Sequence, residues 1–253
     1  MFLGFLGLFQ KEILRFWRVV YQTVCTPILT TILYLFIFTH VLGSHVQVYD
    51  GIPYAVFLAP GLVMMSVLQN AFANTSSSLI QSKVTGNLLL ILLPPISPLT
   101  FFTAYTAAAI VRGVAVGIGV FFAAFIFSDD LTLKSPLWVL AFAICGGAMT
   151  GALGIVAGIW AERFDQIALF TNFIIMPLTF LSGVFYSILS LPPFWRTLSY
   201  FNPFFYMIDG FRYGFFHDSD VSPYLSLSVS ASMALAVSAW AYFLLHRGYK
   251  IRA

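Results

Sequence analysis

The chain has 253 residues, of which 60% are hydrophobic and only 8% are charged. Soluble domains average about 25% charged residues, so this chain has too little polar surface to fold in water as an ordinary globular domain. Its net charge of +3 is small and spread along the chain, which argues against nucleic acid as a partner.

Six stretches are apolar and long enough to cross a membrane, for which a helix needs about 20 residues. They predict an all-α polytopic membrane protein with one domain, residues 1–253. Residues 1–22 precede the spans, 23–189 hold spans one to five, 190–223 lie outside, and 224–253 form span six and the tail. The spans are Thr23–Leu42, Tyr54–Ile80, Leu99–Phe127, Pro136–Trp160, Ile167–Leu189 and Tyr224–Leu245.

The segment before the first span is amphipathic. Apolar residues from Phe2 to Val20 recur at helical spacing, and Lys11, Arg15 and Arg18 fall on another face. This pattern predicts a helix lying in the cytoplasmic interface. Two roles remain open for it: a basic anchor that sets the topology, or a docking element for a partner.

The distribution of lysine and arginine predicts the orientation. An even number of spans places both termini on one side, where the loops carry eight basic residues against three on the other side. Under the positive-inside rule both termini are expected in the cytoplasm. The eight are Lys11, Arg15, Arg18, Lys83, Arg163, Arg247, Lys250 and Arg252, and the three are Lys134, Arg196 and Arg212.

Two spans carry polar residues along one helical face. These faces either join helices through hydrogen bonds or line a translocation path. The residues are Ser66, Asn70, Asn74 and Ser77 in span two, and Asn172, Thr179 and Ser182 in span five.

Arg112 is the one charge predicted at membrane depth, near the middle of span three. A charge there is costly unless it is paired or hydrated, so we expect a hydrogen-bonding hub on the bundle interior. A substrate contact is the alternative. Every Asp and Glu, by contrast, is predicted in a loop or at a helix end.

Residues 81–98 connect spans two and three and are too interrupted for a span. Pro94, Pro95 and Pro98 forbid a continuous helix, so a short cytoplasmic helix followed by a rigid bend is predicted. Asn87 and Gly86 suit the start of such a helix, since Asn caps free amides and Gly admits unusual backbone angles.

The external region before span six is too aromatic for an aqueous loop. It is predicted to form short helices that dip into the outer leaflet, with Pro192, Pro193 and Pro203 at their starts. His217, Asp218 and Asp220 lie close together there. An ordinary solvated turn is preferred over a cation site, and no metal site is predicted.

Motifs for catalysis and nucleotide binding are missing from the sequence. It contains no G-x-x-x-x-G-K-[ST] phosphate loop, no C-x-x-C, no H-E-x-x-H and no G-x-S-x-G. Without a phosphate loop there is no cradle of backbone amides for ATP. No catalytic residue and no cofactor are predicted on this chain.

Two stretches near the C-terminal end resemble the signature region of ABC transporter type-2 permeases, in the branch that holds nodulation-factor and drug exporters. They are IIMPLTFLSGVFYSILSLPPFW, Ile174–Trp195, and NPFFYMIDGFRYGF, Asn202–Phe215. APGLVMMSV, Ala59–Val67, and LLPPISP, Leu92–Pro98, are similar to that family too, so the likeness covers nearly the whole chain.

The resemblance implies a half-channel: a second copy of the chain pairs with it, and two copies of a separate ABC ATPase bind ATP and Mg. It implies a bacterial inner-membrane location, and external re-entrant helices around Pro192, Trp195, Pro203, Tyr206 and Arg212. It also implies a coupling helix that enters a groove on the ATPase. The coupling residues are Ser82, Lys83, Thr85, Gly86, Asn87, Leu88, Leu89 and Leu92.

One position departs from the family pattern. Relatives often carry acidic residues before the proline-rich turn, where this chain has Leu88, Leu89 and Leu90. An apolar contact with the ATPase is therefore to be considered in place of an acidic one.

These features predict the permease subunit of an ATP-driven exporter of a lipid, glycolipid or hydrophobic drug. Membrane lipid is the other expected partner. The first alternative is export of a lipid-linked polysaccharide. A second is an ion-coupled carrier, which needs a titratable group in a span.

Overall fold

The computed structural model describes residues 2–42, 51–127 and 131–250, and all regular structure within them is helical. The long helices are α1 (Phe2–Arg18), α2 (Val20–Leu42), α3 (Tyr54–Val84), α5 (Pro98–Phe127), α6 (Pro136–Trp160) and α11 (Pro223–Arg247). The short ones are α4 (Leu88–Leu92), α7 (Phe164–Phe170), α8 (Met176–Phe180), α9 (Pro193–Tyr200) and α10 (Pro203–Phe216).

Five of the described helices, α2, α3, α5, α6 and α11, are long and apolar enough to cross a membrane. The span predicted over Ile167–Leu189 is wrong in its extent. The helix there runs over Phe164–Phe180, 17 residues, through a π-helical turn at Thr171–Ile175. The other predicted spans agree with the observed helices to within a few residues.

The helix of span five ends early because other elements take over its terminal carbonyl groups. Asn202 Nδ2 donates to the Leu178 carbonyl at 2.6 Å, and Ser199 Oγ donates to that of Leu181 at 3.2 Å. Gly183 then turns the chain with φ +75°. Carbonyls at a helix end need such partners in an apolar environment.

Helix α3 forms the centre of the bundle, and small residues bring its neighbours close. A Cβ on Gly154 of α6 would lie 2.5 Å from the Phe72 carbonyl oxygen, and one on Gly113 of α5 would lie 2.9 Å from that of Val67. Thr75 Oγ1 donates across the α3–α6 contact to the Gly151 carbonyl at 2.7 Å. Small residues at these positions therefore let the helices pack closely.

One end of the bundle, here called the basic end, contains the C-terminal ends of α3, α6 and α11 together with helix α1. Lys83 Nζ at the end of α3 donates to the Ala161 carbonyl after α6 at 3.0 Å. Lys250 Nζ, after α11, lies 3.0 Å from Glu162 Oε1. Helix α1 also lies at this end, because Lys11 Nζ donates to Tyr105 Oη near the start of α5 at 3.0 Å.

Candidate functional site

Helix α1 is attached to the bundle through a buried carboxylate. Glu12 has no exposed surface, and it accepts hydrogen bonds from Lys11 Nζ at 2.8 Å, Arg15 Nε at 3.2 Å and Ser78 Oγ at 2.6 Å. A buried charge is tolerated only when it is paired and hydrogen-bonded in this way. The prediction that every acid lies in a loop or at a helix end is wrong for Glu12 and for the buried Asp209 within α10.

The two cations beside Glu12 also bond to the polar face of α3. Arg15 Nη2 donates to Asn74 Oδ1 at 3.0 Å, and Nη1 donates to Ser77 Oγ at 3.1 Å. Burial opposes the charge of Lys11, but Tyr105 and Glu12 outweigh it and hold the pKa of Lys11 above its ordinary value. Two residues of the charged face of α1, Lys11 and Arg15, therefore point into the bundle, whereas Arg18 is exposed. We call the set the Glu12 network: Lys11, Glu12, Arg15, Asn74, Ser77, Ser78 and Tyr105.

The other residues of the predicted polar faces bond mainly to their own helices. Ser66 Oγ donates to the Leu62 carbonyl at 2.9 Å, Asn70 Nδ2 to that of Ser66 at 3.1 Å, and Thr179 Oγ1 to that of Ile175 at 2.6 Å. Ser182 Oγ donates to the Thr179 carbonyl, and Asn172 is exposed. Within the described residues no hydrogen bond joins the two faces.

Arg112 is partly buried between α1, α3 and its own helix. Its Nη2 lies 3.5 Å from Asn70 Oδ1, at the long limit for a hydrogen bond, and its guanidinium lies 5.8 Å from the centre of the Phe16 ring. Its Nε atom is buried and has no hydrogen-bond partner among the described residues. The side chain thus faces other helices, with one weak hydrogen bond.

The segment predicted to couple to an ATPase is divided between two helices. Ser82 and Lys83 belong to α3, and Ser82 is buried. The short helix α4 begins directly after Asn87, where the sequence predicted its start. Lys83 Nζ donates to the carbonyls of Ile159 and Ala161, because the amine reaches the open end of α6.

The chain turns at Gly86, with φ +72°, and α4 then covers only five residues. The expected side-chain cap from Asn87 is absent, because its backbone is already helical. Thr85 Oγ1 donates instead to the Gln81 carbonyl at 2.8 Å.

The leucines of α4 are mostly uncovered. Leu88 is buried against the bundle, whereas Leu89, Leu90 and Leu93 are 68%, 64% and 74% exposed. The Leu92 side chain lies outside the described residues. Exposed leucines at the end of a bundle form a surface suited to an apolar partner.

The two short helices predicted before span six exist, and proline begins both. Pro193 is the first residue of α9 and Pro203 the first residue of α10, whose Asn202 side chain accepts a hydrogen bond from the Phe204 amide. Pro192 precedes α9, and Trp195 within it is 48% exposed. Tyr206 Oη donates to the Tyr200 carbonyl at 2.9 Å and so joins α10 to α9.

Arg212 is buried where α10, α3 and the turn after α8 meet. Its guanidinium stacks on the Phe57 ring at 4.0 Å, and Nη2 donates to the Gly183 carbonyl at 2.8 Å. Any side chain at Gly61 would contact the backbone of Val184, at 2.9 Å from its carbonyl oxygen. Arg212 thus fixes the turn that ends span five.

Two carboxylates hold the loop between α10 and α11. Asp209 accepts the backbone amides of Asp220 at 2.8 Å and Val221 at 3.2 Å. Asp220 accepts the Ser187 hydroxyl at 2.6 Å and the Ile188 amide at 2.8 Å. Both groups therefore act in backbone attachment.

The candidate cation site does not assemble in the described part of the chain. His217 Nε2 is 2.7 Å from Ser135 Oγ, and Asp220 bonds to Ser187 and Ile188. No group of three or more His, Cys, Asp or Glu side chains among the described residues is arranged to hold a metal ion.

The fold and these contacts define a class: a polytopic α-helical membrane protein with an amphipathic helix and a short helix at one end of the bundle, and two further short helices before the last long one. The sequence profile of ABC-2 type transporters matches residues 4–216, and the chain belongs to that family. It is accordingly an ABC transporter membrane subunit, a multi-pass protein of the cytoplasmic membrane that works with an ABC ATPase.

Individual relatives agree with this assignment. The chain is 37% identical to the inner membrane transport permease YadH of Escherichia coli K12 over 247 residues, 98% of this chain and 96% of the relative. It is 25% identical over 224 residues to nodulation protein J of Rhizobium leguminosarum bv. viciae, covering 83% of this chain and 81% of that protein. The protein of the same name from bv. trifolii is 28% identical over 184 residues, 72% of this chain and 69% of that one.

Proposed function

We propose that this chain is the permease half of an ATP-driven exporter that moves a lipophilic or amphipathic substrate out of the cytoplasm. Two copies form the pathway, and two copies of a separate ABC ATPase bind ATP and Mg. The basic end faces the cytoplasm in this proposal, supported by the excess of lysine and arginine there. The chain itself performs no catalysis.

Helix α4 carries the proposal. It lies at the basic end between two long helices, held by a glycine turn on one side and Pro94 and Pro95 on the other. Its outer leucines are exposed, and burying a leucine fully is worth about 1.5–3 kcal/mol. A hydrophobic groove on the ATPase would therefore bind it strongly, without the acidic residues that many relatives use.

The substrate class is supported by the apolar character of the molecule. Aromatic residues make up 18% of the chain, and a fully apolar groove of about 340 Å³ opens between α3, α5, α6 and α10. A lipid-linked polysaccharide remains the alternative cargo. Two observations argue against an ion-coupled carrier. Membership of the ABC-2 family indicates that ATP hydrolysis supplies the energy for transport. The buried Glu12 carboxylate is already paired with two cations, Lys11 and Arg15.

The test replaces Leu89 with arginine. Because Leu89 is exposed, Leu89→Arg should leave the membrane domain folded while weakening ATPase association at least about tenfold. Co-purification of the co-expressed ABC ATPase and substrate-stimulated ATP hydrolysis measure this. Leu3→Arg is the matched control, since Leu3 is 84% exposed on α1 at the same end.

Both variants should be equally stable in detergent, and only Leu89→Arg should lose the ATPase. Normal ATPase yield and normal coupling in Leu89→Arg would show that α4 is an interfacial anchor. The ATPase contact would then lie elsewhere, with Glu162 to Asp165 the next segment to examine.

A further inference from the structure

A groove opens at the basic end between α1, the last turn of α3 and α4. Its volume is about 790 Å³, and it contains side chains of Lys11, Arg15 and Arg18 from α1. Ser82 and Asn87 line the opposite wall. We call this cavity the basic groove. Of the exposed leucines of this segment, Leu90 lines the groove, whereas Leu89 and Leu93 do not.

The basic groove holds more positive than negative charge. Among the described residues, Glu12 is the one acid that pairs with cations of the groove, and it pairs with Lys11 and Arg15 but not with Arg18. Helices α3, α4 and α5 cannot supply another, because the sequence from Gly51 to Ser128 contains no Asp or Glu. Uncompensated cations next to an apolar medium favour an anionic ligand.

Donors for such a ligand are free on both walls. Arg18 is exposed and makes no side-chain hydrogen bond or ion pair in the described part of the chain. Across the groove, the Asn87 side chain makes no capping hydrogen bond. An arginine and an amide that line the same groove are suited to the oxygens of a phosphate group.

The surroundings identify where the phosphate comes from. Leu14 and Leu90 line the same groove and are 59% and 64% exposed, so its mouth is apolar. A soluble anion would leave these leucines uncovered, whereas a lipid covers them with its acyl chains while its phosphate contacts the cations. Trp17, 67% exposed beside Arg18, is the kind of residue found at the headgroup level of a bilayer.

We propose that the basic groove binds the phosphate headgroup of an anionic membrane phospholipid, with its acyl chains against Leu14 and Leu90. The bound lipid neutralises the cations of α1 and holds that helix against α3 and α4. This site goes beyond the proposed function, because it does not depend on which substrate is exported or on whether α4 binds the ATPase.

The experiment uses the purified full chain in detergent, offered equal amounts of phosphatidylglycerol and phosphatidylcholine and examined by native mass spectrometry. The parent should retain phosphatidylglycerol in preference. Arg18→Gln should reduce phosphatidylglycerol retention about fivefold and leave phosphatidylcholine unchanged, since one cation near an anionic headgroup is lost. Folding should survive, because the Arg18 side chain makes no hydrogen bond or ion pair with the described residues of the bundle.

Arg247→Gln is the matched control. Arg247 is also an exposed arginine at the end of a long helix at the basic end, but it stacks on Phe243 at 4.2 Å, outside the basic groove. It should behave as the parent does. Equal losses in Arg18→Gln and Arg247→Gln, or no loss in either, would contradict the proposal.

A second measurement separates the sources of phosphate. Millimolar inorganic phosphate should neither displace phosphatidylglycerol nor raise the melting temperature as the lipid does. If inorganic phosphate alone reproduces the stabilisation and Arg18→Gln abolishes that effect, the groove binds a soluble anion and the lipid proposal is wrong.

Discussion

At the residue scale, Glu12 and Arg212 show how a few charges hold the apolar helices in place. Each is almost completely buried, and each bonds to an element distant in sequence: Glu12 to Ser78 of α3, and Arg212 to the Gly183 carbonyl. A weak sign of the Glu12 contact is present in the sequence, because Leu8, Glu12 and Phe16 recur every four residues and all three are buried. Helical spacing shows that these three residues share one face of α1, but it does not show that this face packs against the bundle.

Loss of the Glu12 charge should destabilise the protein. Glu12→Gln keeps the shape but leaves Lys11 and Arg15 without their anion in a mostly buried site, at a cost of about 2–3 kcal/mol. Thermal unfolding in detergent should show a clearly lower melting temperature.

Glu162→Gln provides the control for Glu12→Gln. Glu162 forms an ion pair with Lys250 that is open to solvent, and hydrogen bonding to Lys250 lowers the pKa of its carboxyl. Solvent screens this pair, so no measurable change in melting temperature is expected. If the two variants unfold at the same temperature, the Glu12 network does not attach α1 to the bundle.

At the element scale, the contact between α3 and α6 depends on glycine. The sequence shows the stripe Gly147, Gly151, Gly154 and Gly158, and the structure divides it between two partners. Gly147 and Gly151 face α5 at Ile110 and Ala109, whereas Gly154 and Gly158 face α3 at Phe72 and Leu79. One helical stripe therefore serves two helix–helix contacts.

Gly154→Ala should destabilise the bundle by about 1–3 kcal/mol, because the new methyl group would lie 2.5 Å from the Phe72 carbonyl oxygen and helix backbones cannot yield easily. Gly7→Ala is the control: a Cβ there meets nothing within 4 Å, and alanine favours the helix. The melting temperature should fall in the first variant and stay level or rise in the second. A Gly154→Ala protein as stable as the parent would show that α3 and α6 do not pack this closely.

At the scale of the whole molecule, the chain is a transport subunit that depends on another protein for energy. The isolated chain should neither bind nor hydrolyse ATP, because it has no phosphate loop. Titration calorimetry of the purified chain should give no heat of binding at millimolar ATP, while the complex with its ABC ATPase should bind and hydrolyse it. Saturable ATP binding by the isolated chain, free of contaminating ATPase, would contradict the prediction that only the ATPase subunit binds ATP.

The sequence by itself determined the class of protein, the positions of most helices and the proline-started helices before span six. Long apolar runs and proline are local signals: a helix in lipid must satisfy its own backbone, and a run of about 20 apolar residues is enough to define it. The glycine stripe of α6 is a local signal of the same kind, since a missing side chain directly affects how near two helices can come.

Tertiary structure alone decided where span five stops, which way the charged face of α1 points, and how the polar face of α3 is used. The apolar run continues to Leu189, yet the helix ends at Phe180 because Asn202 and Ser199 reach back to its carbonyls. Asn74 and Ser77 bond to Arg15, 59 and 62 residues away in the chain. Partners so distant leave no periodic signal, because a hydrogen bond between helices depends on how those helices pack and not on the spacing of residues within either one.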